Sequence, residues 1–145
     1  MLQPNVIIAC SATDTIGRLG IPATRRLQPT YVISSKKREE VPVAVPGTEK
    51  AKCRWLVDRS SGAKTYALRL FEIEPGGIVP LHQHPEEHEI FVIGGKAEVM
   101  SVTGNTSARK DDVIFIPSNM IHGIDNRKGK EAFKFICVIP LLSKE

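Results

Sequence analysis

From Cys53 onward, apolar residues fall in short runs separated by turn formers, and these runs predict strands. They are Cys53–Asp58, Lys64–Glu74, Glu89–Ile93, Lys96–Val102, Val113–Ile116 and Phe133–Ile139, all rich in Val, Ile, Leu and Phe. Between them lie Ser60-Ser61-Gly62, Pro75-Gly76-Gly77, Gly94-Gly95, Thr103-Gly104-Asn105 and Pro117-Ser118-Asn119, which favour turns. Within the second run, Tyr66, Leu68 and Leu70 alternate with Ala67, Arg69, Phe71 and Ile73, a period of two with both faces mostly apolar. No stretch longer than about ten residues carries a helical period. Short strands with a turn every 8–12 residues predict an all-β sandwich or barrel.

Residues 1–52 lack this pattern. Prolines at 4, 22, 29, 42 and 46 interrupt every candidate element, leaving Tyr31–Ser34 and Val41–Val45 as short edge strands. The expected organisation is an N-terminal extension over 1–50 and one barrel domain over 51–145. The extension lies along the domain or swaps onto a partner. Outer strands of a small barrel need partners for their backbone groups, so a homodimer with N-terminal strand exchange is expected.

Composition narrows the class. At 145 residues, 41% hydrophobic and 25% charged, the chain suits a single ordinary globular domain. Its longest apolar runs are far short of the roughly 20 residues that a membrane helix needs. No basic, long apolar leader opens the chain, and three scattered cysteines (Cys10, Cys53, Cys137) make no disulfide framework. A cytoplasmic protein is expected. The net charge of +4 is local, since residues 1–60 carry +5 and the remainder −1. Without a basic face and interleaved aromatics it does not predict a nucleic-acid partner.

The chemistry sits in the histidines. All four (His82, His84, His88 and His122) fall within 41 residues. His82 and His84, two apart, share a face on a strand; a Pro-Glu-Glu turn precedes His88-Glu89, and a proline turn precedes His122. One histidine on an apolar face is usually structural. The whole order, Gly-rich turn, H-x-H, His-Glu, proline turn and a fourth His, predicts a metal site, open from the residues alone to Mn, Fe, Cu, Ni or Zn.

The stretch from Gly76 to Glu89, GGIVPLHQHPEEHE, resembles the first motif of the cupin superfamily. The stretch from Asp111 to Asn126 resembles the second. Within the superfamily, the run from Arg69 to Gly95 is most similar to small single-domain manganese cupins with four histidines. Two positions depart from the pattern: Asp111 and Asn119 stand where glycines are usual, and both residue types tolerate left-handed turns. The resemblance implies a double-stranded β-barrel (jelly roll) with a divalent metal, manganese first, held by His82, His84, His88 and His122. In most cupins a glutamate is the third ligand, here Glu89; in the four-histidine group it is the preceding residue, here His88. Adjacent strand residues point opposite ways, so only one of the two ligates without a bulge.

Arg69 is a charged residue in an apolar strand. It either forms an edge ion pair with Glu72 or Glu98 or orients an anionic substrate. By the resemblance, Arg69, Phe135, Cys137 and Ile139 line a substrate pocket, with Phe133 on the same face; Trp55 and Tyr66 are read as packing residues. No catalytic residue beyond the ligands is evident. The expected function is a Mn- or Fe-dependent oxygenase acting on a small organic molecule inside the barrel. The alternatives are a non-catalytic cupin that binds or senses a small molecule, and a metal-dependent isomerase or decarboxylase. The barrel alone does not identify a substrate.

Overall fold

The computed structural model describes residues 29–143. Cys10, the Arg25-Arg26 pair and most of the expected extension lie outside the described residues. From Val32 onward the chain forms one compact unit.

Nine antiparallel strands build it: β1 (Glu40–Pro42), β2 (Glu49–Val57), β3 (Tyr66–His82), β4 (His88–Gly94), β5 (Lys96–Ser101), β6 (Thr106–Arg109), β7 (Val113–Ile116), β8 (His122–Asp125) and β9 (Phe133–Pro140). They form one sheet in the order β6-β5-β8-β3-β9-β4-β7, with β2 also on β3 and β1 on β2. The sheet curls into a nearly closed barrel, the jelly roll expected from the sequence. Among the described residues no helix is long and apolar enough to cross a membrane.

β3 is the axis of this arrangement. Its first half pairs with β2 and β9 and its second half with β8. The Pro75-Gly76-Gly77 turn expected from sequence is instead a bend within this 17-residue strand. Gly76 takes φ +83°, and a Cβ on Gly77 would sit 2.8 Å from the Glu74 carbonyl oxygen and 3.0 Å from that of Glu49. The glycines therefore let one strand change partners without ending.

β9 supplies the centre of the core. Phe133, Phe135, Cys137 and Ile139 alternate inward and are all buried. Phe135 stacks on Phe71, its register partner on β3, with ring centroids 4.9 Å apart. Asn126 closes one end: its side-chain amide, 1% exposed, donates to the carbonyls of Ile73 (2.8 Å) and Glu131 (2.9 Å).

Four local expectations meet specific outcomes. Asp111 and Asn119 take φ +73° and +60°, the left-handed turns their residue types tolerate. Tyr31–Ser34 is not a strand and leads into a 3₁₀ turn at Ser35–Lys37. Of Val41–Val45 only the first two residues pair, as part of β1 on β2. β6, with four residues and no apolar run, carries no strand pattern of its own, whereas β8 is the strand that the proline turn before His122 leads into.

Candidate metal centre

Register places the four imidazoles. His82 ends β3 and is the ladder partner of His122, which opens β8. His84 lies two residues further along, on the turn that leads to His88, the first residue of β4. That turn is pinned from the other side of the site: the Asn119 N–H donates to the His84 carbonyl at 2.9 Å, and the Ser118 hydroxyl donates to the Pro85 carbonyl. The two motifs, distant in sequence, thus hold each other in place.

The rings crowd one point. Centroid separations are 4.4 Å for His82–His122, 4.5 Å for His84–His88 and 4.9 Å for His88–His122. Ligand atoms of His82, His84 and His122 all lie within 4.8 Å of one another, so these three can hold a metal ion. Hydrogen bonds prepare two of them. His82 Nδ1 lies 2.8 Å from the Pro80 carbonyl oxygen and His122 Nδ1 lies 2.7 Å from that of Met120. A carbonyl only accepts, so each Nδ1 carries the proton and each Nε2 keeps its lone pair for a cation. For His84, Glu86 Oε2 is 3.2 Å from Nδ1 but outside hydrogen-bond geometry.

His88 is buried, 7% exposed against 5% for His122, while Glu89 beside it is exposed. Along β4 His88, Ile90 and Val92 are buried and Glu89, Phe91 and Ile93 are exposed, with no bulge before Val92. His88 Nε2 approaches His84 Nε2 to 2.6 Å. Two bare imidazole nitrogens at that distance repel, so a proton or a cation belongs between them. The other nitrogen, Nδ1, lies 3.0 Å from Cys137 Sγ and 3.3 Å from an Arg69 guanidinium nitrogen.

Burial favours the neutral form of three of the rings. Burial, then the Arg69 charge, pushes His88 down to about 2; burial likewise takes His122 to about 4 and lowers His84. Neutral imidazoles are the ligating form, so the donor set suits a transition metal at neutral pH.

These rings open onto a cavity of about 340 Å³, lined among others by Trp55, Arg69, Phe71, Val79, Ile90, Ile124, Phe135 and the segment Val41–Val45. Among the described residues no carboxylate lines it. Arg69 occupies an inward position of β3, but it forms neither of the ion pairs considered from sequence. Glu72 pairs instead with Lys134 at 3.2 Å. The Arg69 guanidinium donates to Cys137 Sγ at 3.1 Å and lies over the rings of Trp55 (5.3 Å) and Phe71 (4.9 Å). Phe135 lines the cavity, whereas Cys137 and Ile139 are buried behind its wall. Burial raises the Cys137 thiol above its ordinary value, against a smaller opposing effect of Arg69.

Trp55, read as packing from sequence, is a cavity residue. It pairs in register with Arg69 across β2 and β3, a juxtaposition that no local pattern reports. Tyr66 is exposed. Val41–Val45 was also missed as lining, because nothing within it signals what it covers.

The cupin domain family matches residues 69–139, which hold all four histidines. Over this segment the chain resembles a cupin domain. No curated protein is similar enough to the chain to count as a relative. Among solved structures, the chain is similar to the polyketide cyclase RemF from Streptomyces resistomycificus, at 25% identity and a TM-score of 0.72 over 81% of this chain and 89% of that one. It is also similar in fold to a predicted oxalate decarboxylase from Thermotoga maritima (23% identity, TM-score 0.65, 77% of this chain and 100% of that one). A sugar phosphate isomerase from Silicibacter pomeroyi shares the fold at 16% identity and a TM-score of 0.67, over 77% and 76% of the two chains.

Proposed function

We propose that this protein is a manganese- or iron-dependent oxygenase acting on a small organic molecule held inside the barrel. The observation that carries the reading is the donor set: histidine nitrogens alone, opening onto an apolar cavity that no carboxylate lines among the described residues. Neutral ligands leave a divalent ion its full positive charge. When bound, manganese or iron there would supply one-electron chemistry with dioxygen. His82, His84 and His122 hold the metal, and His88 completes the set in place of Glu89. Phe71, Phe135 and Ile90 exclude water and fix the apolar part of the substrate.

A second reading has its own support. The likeness to a polyketide cyclase favours redox-neutral ring closure of a polyketide-like molecule in the same cavity. One experiment separates the two. Protein loaded with manganese or iron is screened against small aromatic and unsaturated molecules, with dioxygen uptake and product recorded in air and under argon. Metal-dependent uptake, abolished in His82→Ala, is expected. Equal product under argon transfers the assignment to cyclisation, and binding without turnover by any metal makes the protein a sensor or carrier.

A further inference from the structure

The charge inside the barrel is unbalanced. Arg69 is permanently protonated, sits at an inward position and finds no carboxylate partner among the described residues. Its Nε is buried without a hydrogen-bond partner. The neighbours it does have, Cys137 Sγ, His88 Nδ1 and the faces of Trp55 and Phe71, are all neutral. Aromatic faces offset part of the cost of burying a guanidinium but do not neutralise it. A divalent ion on neutral imidazoles would add two further positive charges a few ångströms away. Glu86, at the outer edge beside His84, balances at most one of them.

We propose that the cavity takes small carboxylates with an apolar body, the carboxylate beside Arg69 on the histidine side and the body against Trp55, Phe71 and the Val41–Val45 segment. This rests on the reading of the cavity as a metal-centred ligand site, and it names the class of ligand. The planar guanidinium still has free donors, with Nε already desolvated, so a carboxylate gains charge-assisted hydrogen bonds without further desolvation of that nitrogen. Apart from the histidines and Trp55, the remaining wall is largely Val, Ile and Phe, against which the apolar body packs. A volume of about 340 Å³ lies at the small end of ligand pockets, which suits a single ring or a short chain rather than a polymer.

The test uses matched pairs of acid and primary amide: phenylacetate, 3-phenylpropionate and octanoate against their amides, at pH 7.5. Trp55 is the only tryptophan of the chain and lines the cavity, so its fluorescence reports binding. Ligand-detected magnetic resonance provides a second readout. Each acid is expected to bind wild-type protein at least about tenfold more tightly than its amide. The preference should fall to within about twofold in Arg69→Gln and persist in Arg69→Lys, which controls for folding. Equal affinity of acid and amide, survival of the preference in Arg69→Gln, or no binding in any pair would overturn the proposal. Running the series on zinc-loaded and chelator-stripped protein, with elemental analysis of each variant, separates this outcome from the metal reading. A protein that holds no metal yet keeps an Arg69-dependent preference refutes the metal site alone.

Discussion

Replacing His88 and Glu89 one at a time puts the ligand set to a stringent test, because the two are neighbours in sequence and opposite in orientation. His88 is 7% exposed with Nε2 against His84 Nε2, whereas Glu89 faces outward on the same strand. Removing a residue that merely supports a metal ligand typically weakens binding 10–100-fold. Loss of a ligating imidazole should therefore exceed that range, at least about 100-fold or ~2.7 kcal/mol. An outward carboxylate contributes only screened surface electrostatics, at most ~1 kcal/mol. Manganese or zinc titrations by calorimetry, with metal content after purification, measure both variants. His88→Ala should lose most of its metal and Glu89→Ala keep nearly all of it, while His82→Ala, His84→Ala and His122→Ala follow His88→Ala. The reverse pattern would restore a three-histidine, one-glutamate site. Equal loss in both would mean that β4 bulges at its start.

Three further outcomes are expected. In chelator-stripped protein, His88 and His122 remain neutral in the fold but take a proton near pH 6.5 when unfolded, so the unfolded state binds more protons and stability falls with falling pH. The two together should remove roughly 3 kcal/mol between pH 7.5 and 5.5 in urea titrations, a loss that a His88→Ala, His122→Ala double variant should not show. Asn126→Ala strips the buried carbonyl of Ile73 and the part-buried one of Glu131 of a donor and should cost roughly 2–4 kcal/mol, seen as a lower urea midpoint with an unchanged slope. Sedimentation should give a homodimer of about twice 16.0 kDa, for which the exposed Phe91, Val113 and Phe115 on paired strands offer an apolar face; a 16 kDa species at micromolar concentration would refute it.

Strands β4, β7 and β9 were legible as short runs rich in Val, Ile and Phe bounded by turn formers, and their inward faces are buried. The histidine cluster was legible because His82 and His84 stand two residues apart and the others follow turns that bring the chain back, although His84 sits on the turn just past the end of β3. Three things were hidden for physical reasons. The bend at Gly76-Gly77 reads like a chain reversal, since glycine serves turns and bulges alike. Four-residue strands such as Thr106–Arg109 are set by their neighbours' backbone groups rather than by their own side chains. The partnership of Trp55 with Arg69 is a product of register between β2 and β3, and register is a property of the assembled sheet.

The central claim is that histidine nitrogens alone hold a metal inside this barrel, and X-ray absorption spectroscopy of the manganese-loaded protein addresses it most directly. One metal per chain with the outer-shell scattering of three or four imidazoles is expected, together with loss of one imidazole in His122→Ala. A metal ion bound only by oxygen donors, or a spectrum unchanged in His122→Ala, would contradict the claim.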